Sequence, residues 1–245
     1  MNDKKKNIQN RATETEISEI FSSLQGEGPY LGVKQVFVRF GRCNMHCVYC
    51  DELEKMQAEK FTRMSLADVM RAIDKLDREK GFHHSVSLTG GEPLFYTSFL
   101  ENLLPKLKEK GYATYLETNG TLPRELERVV RHCDIIAMDM KPMSSTGDRN
   151  FEKEHEEFLK IAVRRDVFVK VVITPDTKLD EVRRAAILVD SIDAAIPFIL
   201  QPLSDAVGIN TASLKFIETS VMPEIEKILR DVRVIPQMHK IWGVR

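Results

Sequence analysis

The chain has 245 residues, and its 36 basic residues face 37 acidic ones for a formal net charge of -1. Hydrophobic residues make up 42% and charged ones 30%, the balance of a folded globular chain rather than a disordered one. The basic excess of phosphate-tracking proteins is absent, and no apolar run nears the roughly 20 residues that cross a bilayer, so neither nucleic acid nor a membrane is an expected partner.

Residues Met1 to Arg11 are polar and carry Lys4, Lys5 and Lys6 with no apolar stretch behind them, unlike a secretory signal. The expectation is a frayed tail over 1–16, one domain over 17–245, and a cytoplasmic location where thiols stay reduced. Ile17 to Leu24 (ISEIFSSL) reads as a strand or hairpin, and Gln35 to Phe40 (QVFVRF) as a strand. Ser65 followed by Asp68, with Leu66, Val69, Met70 and Ile73, reads as an N-capped amphipathic helix. Further strands are expected at 85–88, 113–116, 135–138, 167–173 and 197–200. Helical spacing falls between and after them, at 98–110, 123–131, 151–163, 179–190 and 211–229. Repeated β–α alternation implies parallel strands with helical crossovers. Six such units are fewer than the eight of a closed barrel, so the expected class is α/β, an open, partial (β/α)6 TIM-like barrel. Ligands in such folds sit at the carboxyl ends of strands, which makes a test: each functional motif should fall just after one.

Of four cysteines, Cys43, Cys47 and Cys50 crowd into the loop directly after QVFVRF, too close together for a disulfide framework. Soft thiolates favour iron–sulfur clusters, zinc or copper. A structural zinc site needs a fourth ligand, for which His46 is nearest. A cuboidal cluster held by three cysteines leaves one iron open instead. The C-x3-C-x2-C spacing, with Tyr49 before the last cysteine, resembles the signature of the radical S-adenosylmethionine (SAM) enzymes. That resemblance implies a radical SAM core with a [4Fe-4S] cluster whose open iron takes the amino and carboxylate groups of SAM. It also implies an electron donor such as flavodoxin or ferredoxin. Cys133 stands apart and reads as a packed thiol.

Other loops fit the same frame. Thr89-Gly90-Gly91-Glu92-Pro93 follows the second unit's strand and resembles the family's GGEP motif, whose backbone contacts the methionine amino group. Glu117-Thr118-Asn119-Gly120 resembles a segment lining the cofactor cleft. Asp139-Met140-Lys141-Pro142 and Gln201-Pro202-Leu203-Ser204 match positions that contact ribose, carboxylate or adenine, and Tyr49 and Asp51 fall among the cofactor-binding positions.

Two end segments narrow the resemblance. Ser23-Leu24-Gln25-Gly26-Glu27-Gly28 precedes the first parallel strand, and Pro236-Gln237-Met238-His239-Lys240 stands near the end. Together they resemble the 7-carboxy-7-deazaguanine synthase family over nearly the whole chain. The resemblance implies conversion of 6-carboxytetrahydropterin to 7-carboxy-7-deazaguanine with loss of ammonia, on the route to queuosine, by a homodimer. Gln25 and Glu27, flanked by Leu24 and Gly26, offer an amide and a carboxylate that suit the polar edge of a pterin. Arg39 matches the arginine that pairs with the substrate carboxylate, a role its planar fork suits. Thr89, His239 and the terminal Arg245 match further substrate positions. The family commonly has Thr or Ser after Cys-Asp as a Mg2+ ligand; here Glu52 stands there, a hard oxygen donor that could hold the ion. The rival readings are an activase that places a glycyl radical on a partner protein, and a non-catalytic zinc-binding scaffold.

Overall fold

The structure, a computed structural model, describes residues 13–51, 61–205 and 208–244. The expected tail through residue 12, Glu52 and Arg245 lie outside them. β1 (Glu14–Leu24) runs antiparallel to β2 (Lys34–Phe40), and β3 (Thr62–Ser65) pairs with the start of β1. Glu14 to Glu16, expected in the tail, are therefore strand residues.

Ser65 caps α1 (Leu66–Lys80) as its sequence predicts: its Oγ accepts from Asp68 N at 3.2 Å, while Asp68 Oδ2 accepts from Ser65 N at 3.2 Å. From there strand and helix alternate. β4 (Ser85–Gly90) leads to α2 (Thr97–Glu109), and β5 (Thr114–Thr118) to α3 (Pro123–Val129). β6 (Ile135–Met140) leads to α4 (Met143–Thr146) and α5 (Glu152–Ala162), and β7 (Asp166–Ile173) to α6 (Leu179–Asp193). β8 (Phe198–Pro202) is followed by a small ribbon of β9 (Ser204–Asp205) and β10 (Gly208–Ile209). α7 (Thr211–Phe216), α8 (Met222–Ile225), β11 (Val232–Val234) and α9 (Met238–Trp242) complete the order.

The nine-stranded sheet has the order β11-β8-β7-β6-β5-β4-β2-β1-β3, parallel from β2 through β11. Its two ends do not pair among the described residues, so the barrel is open. The six expected parallel strands are present and β11 adds a seventh. That strand is three residues long, carries Arg233 at its centre and shows no apolar run to read. The helix expected over 211–229 is broken by a π turn at Ile217–Val221, just before Pro223, which has no N–H to continue the ladder.

Alternation along each strand sorts side chains between two faces. On β2, Val36, Val38 and Phe40 enter the core beneath the helices, as do Val167, Val169, Val171 and Ile173 on β7. The opposite residues, Phe37 and Arg39 on β2 and Phe168, Lys170 and Val172 on β7, face the inside of the partial barrel, where the cavity lies. Each fully buried Leu or Phe of the outer layer contributes roughly 1.5–3 kcal/mol. That layer, from Leu88 to Leu229, fixes the strand ends that carry the site.

Candidate active site

The cavity has two adjoining lobes, of ≈ 220 and ≈ 470 Å³. Gln25, Glu27, Arg39, Asp51, Thr89, Glu117 and Gln237 line both and form the wall between them.

The smaller lobe receives the strand-end loops. Cys43, Cys47 and Cys50 all line it, in the loop that follows β2. Met45, Cys47 and Phe151 are buried there in an apolar packet with Cys43, Tyr49 and Cys50 against it. Burial pushes the Cys43 thiol up to about 12 and the Cys47 thiol up as well. Left alone these thiols stay protonated, so thiolate formation has to be coupled to metal coordination. Among the described residues no three His, Cys, Asp or Glu side chains converge on a point that could hold a single ion. A cuboidal cluster makes a different demand, one thiolate on each of three separate irons.

Gly90 and Gly91 follow β4. Gly90 has φ +118, and a Cβ on Gly91 would lie 2.1 Å from the Arg42 carbonyl oxygen. Glu92 N donates to that same oxygen at 2.7 Å. The glycines thus let this loop press onto the cysteine loop's backbone, as well as leave room for a ligand. The Glu92 side chain is wholly buried and turned away from the lobe, accepting from Leu94 N (3.0 Å), Thr118 Oγ1 (2.9 Å) and Asn119 N (2.8 Å). Burial outweighs those three donors and lifts its carboxyl to about 7. The Glu92 side chain ties two loops together, which leaves the contact expected of this motif to its backbone. Asn119 reaches Asn44 Oδ1 at 2.9 Å and lies 3.8 Å from Cys43 Sγ.

After β6, Lys141 donates to Asp139 Oδ2 at 2.8 Å and to Tyr49 OH at 3.4 Å, with its ammonium 5.3 Å from the Tyr49 ring centroid. Burial lowers the pKa of Lys141, but Asp139 together with Tyr49 and Cys47 outweighs it and raises the net value. Met140, expected beside them, is 2% exposed and points into the outer core, because strand alternation sends it to the other face. Gln201 and Leu203 line the lobe, while Pro202 and Ser204 are placed beside it.

The donor set can be tested against the group it is expected to hold. Asp139 Oδ1, Gln201 Oε1 and Ser204 Oγ are buried with no hydrogen-bond partner among the described residues. Orphaned acceptors of this kind are costly unless a ligand supplies donors, as the ammonium and ribose hydroxyls of SAM do. Three thiols, an apolar surround and these spare acceptors fit a cluster and SAM.

The larger lobe is walled by one face of the β1–β2 hairpin. Ser18 is an extra residue there, since Ile17 pairs with Phe40 but Glu19 with Arg39. This bulge sets Glu19 opposite Arg39 and Phe21 opposite Phe37. The ion pair spans 3.0 Å, and the two rings stack at 5.1 Å. Gln25 Nε2 donates to Gln35 Oε1 and Glu117 Oε1, both at 3.0 Å. Glu117 also accepts from Ser87 Oγ (2.9 Å) and Thr89 Oγ1 (2.8 Å). Glu27 accepts from Gln237 Nε2 at 2.9 Å and pairs with Lys170. Burial works against its charge, but the Lys170 ammonium holds the carboxyl down at about 2. Gly26 is required by contact: a Cβ there would meet the His239 side chain at 2.5 Å, while Met238 N donates to Gly26 O at 2.9 Å. Burial lowers the pKa of His239, so its ring meets the lobe neutral. Leu24 sits at the rim, 37% exposed. Asp51, expected on the cofactor side, is held by Lys240 at 3.0 Å and Gln237 at 3.3 Å, where the lobes meet.

The structure therefore gathers most of the expected residues around one cavity and adds Lys170 and Gln237, with Gln35 buried behind Gln25. A signal for Lys170 was available: a lone lysine inside the valine-rich run 167–173. Gln35, opening an apolar strand, gave a weaker one of the same kind.

Comparison with known proteins agrees with this geometry. The profile of the radical SAM superfamily matches residues 37–174. The 7-carboxy-7-deazaguanine synthase of Geobacter sulfurreducens is 37% identical, over 93% of this chain and 97% of its own. That of Methanocaldococcus jannaschii is 34% identical, over 93% and 99%. The crystal structure of QueE from Escherichia coli shares the fold, with a TM-score of 0.60 at 22% identity over 91% of this chain and 94% of that one. The chain thus belongs to the 7-carboxy-7-deazaguanine synthase family of the radical SAM superfamily.

Proposed function

We propose that this chain, as a single radical SAM domain, converts 6-carboxy-5,6,7,8-tetrahydropterin to 7-carboxy-7-deazaguanine and ammonia, a carbon–nitrogen lyase step of 7-deazaguanine biosynthesis. The observation that carries the reading is the shared wall: a thiol-lined lobe and a carboxylate- and arginine-lined lobe adjoin across residues that line both. A reacting carbon held in one then faces a cofactor held in the other. When bound, the cluster and SAM supply one-electron chemistry that begins at that junction.

The chain's own residues bind, orient and shield. Cys43, Cys47 and Cys50 are the cluster ligands. Tyr49, Asp51, Gly91, Asn119, Asp139, Lys141, Gln201, Pro202, Leu203 and Ser204 surround SAM, with Glu92 and Glu117 holding the loops that do so. In the other lobe Glu27 and Gln25 read the pterin edge. Arg39 takes the carboxylate, a guanidinium fork matched to two oxygens. Leu24, Gly26, Thr89, His239 and Arg245 complete that side. Buried, paired charges leave little room for water beside a reactive species.

Magnesium held by Glu52 belongs to the same proposal, as do a flavodoxin or ferredoxin as the electron donor, a homodimer and a cytoplasmic setting. The described residues include no helix long and apolar enough to cross a membrane. The test is an anaerobic assay of the reconstituted protein with reductant, SAM and 6-carboxytetrahydropterin, read by mass. The deazapurine should form, with SAM recovered rather than consumed. Stoichiometric SAM consumption without that product would favour a glycyl-radical activase, and zinc without iron a scaffold. A magnesium titration that leaves the rate flat, or an unchanged response in Glu52→Ala, removes the metal from the scheme.

A further inference from the structure

Lys170 lies on β7, facing the cavity, with its side chain 13% exposed. Its ammonium bonds Glu27 Oε2 and lies 3.2 Å from Asp139 Oδ2. Glu27 belongs to both lobes, and its other oxygen takes Gln237 from the C-terminal segment. Asp139 belongs to the thiol-lined lobe, where it holds Lys141 and keeps a buried oxygen with no partner among the described residues. A continuous series of contacts, Tyr49–Lys141–Asp139–Lys170–Glu27–Gln237, therefore runs from the cysteine loop to the wall that the two lobes share.

The chemistry of that link is restrictive. An ammonium carries three donors and one compact charge, so it can hold two carboxylates at once and fix their separation. Burial favours loss of its proton, but the two carboxylates outweigh this and raise its pKa. Neither acid can shift without moving the ammonium or breaking a charged hydrogen bond in a poorly solvated place.

We infer that Lys170 is a positioning residue that couples the two lobes, so that pterin bound at Glu27 orders Asp139 for SAM, and SAM at Asp139 orders Glu27 for pterin. The inference rests on the assignment of SAM and pterin to their lobes proposed above. The ligand that arrives second finds its acceptor already ordered, which makes the coupling positive. Linkage makes it reciprocal.

The experiment measures SAM affinity by calorimetry on the anaerobically reconstituted protein, cluster left oxidised so that no turnover occurs, with and without saturating 6-carboxytetrahydropterin. Pterin binding itself is titrated in parallel. In the unaltered protein the pterin should tighten SAM about fivefold or more, within the usual span of coupling between sites. Lys170→Arg, which keeps the charge and two or more donors, should retain most of that ratio. Lys170→Met should bring it to one. Should Lys170→Met fail to fold because Glu27 is left without its ion pair, Lys170→Met combined with Glu27→Gln takes its place, again with a ratio of one expected. A ratio in the Met variants equal to that of the unaltered protein overturns the coupling role. So does a ratio of one in unaltered protein that binds the pterin. Failure of the unaltered protein to bind pterin while it binds SAM overturns the functional reading instead, and the coupling with it.

Discussion

The two lobes are built by different means. The thiol-lined lobe is made of the ends of parallel strands and the loops that follow them: the cysteines after β2, Gly90 and Gly91 at the end of β4, Asn119 after β5, and Asp139 and Lys141 at the end of β6. Its neighbours touch through backbone, as where Glu92 N and Gly91 lean on Arg42 and Phe40 carbonyls. The larger lobe is assembled from segments far apart in the chain: the face of an antiparallel hairpin, Thr89 and Glu117 from two parallel strands, and the segment around α9. There most contacts are side chain to side chain, between charged or amide groups, with Met238 N on Gly26 O as a backbone exception. Backbone contacts tolerate no added atom, whereas side-chain contacts are lost in graded steps. Substitutions should therefore act steeply in the first lobe and moderately in the second.

The largest effect sharpens that contrast. Cys47→Ala should leave protein whose iron content after reconstitution, and whose deazapurine formation, fall below detection; product at more than a trace would remove this cysteine from the ligand set. Next, Gly91→Ala introduces a Cβ 2.1 Å from the Arg42 carbonyl and must displace one loop or the other. A displacement near 1 Å can cost about 100-fold, so SAM affinity and turnover should fall by that order while pterin binding in the other lobe changes little. Equal damage in both lobes would break the comparison.

Glu27→Gln removes a charged hydrogen-bond partner from the larger lobe, and the pterin KM should rise about tenfold or more. A carboxyl held at about 2 is ionised across the working range, so the ratio of variant to unaltered kcat/KM should match at about pH 6 and about pH 8.5. Folding gives the sign of a second test. A depressed carboxyl contributes stability that is complete above its ordinary value of 4.5 and is lost as pH falls through about 2. Cluster-free Glu27→Gln should lack that part of the acid sensitivity in a denaturant titration.

The smallest effect lies outside both lobes. His83 is bonded to Asp77 at 2.9 Å and to Ser22 at 2.8 Å, a Ser–His–Asp line at the opposite, N-terminal end of the parallel strands. None of the three lines either lobe. The trio holds β1 to α1 and the start of β4, so His83→Ala should cost about 1–3 kcal/mol in unfolding and leave both ligand affinities as they were.

The same difference decides what the sequence could tell. The thiol-lined lobe was legible because each of its motifs is a contiguous run placed just after a predictable strand. Strand alternation explains a departure from that reading: the Met140 side chain turns into the core. In the larger lobe, Gln25, Glu27, Arg39 and His239 were named through a family resemblance, while their partners Lys170 and Gln35 were not. A lysine at position 170 acquires meaning only when β7 is set beside β6 and across from Glu27, a relation over 143 positions that no local pattern records. The seventh strand and the break after Phe216 were missed because three residues show no period and a single proline decides the other.

One residue in the hairpin has a consequence for how this chain can change. Up to Ser18 the odd-numbered residues of β1 face the core, through Thr15 and Ile17; beyond it the even-numbered Ile20 does, freeing Glu19 and Phe21 for the ligand side. Deleting Ser18 would restore plain alternation and expel an isoleucine from the interior or bury a glutamate there. A change in length at this spot, harmless in most surface loops, would therefore exchange which side chains greet the substrate while leaving every recognisable motif intact.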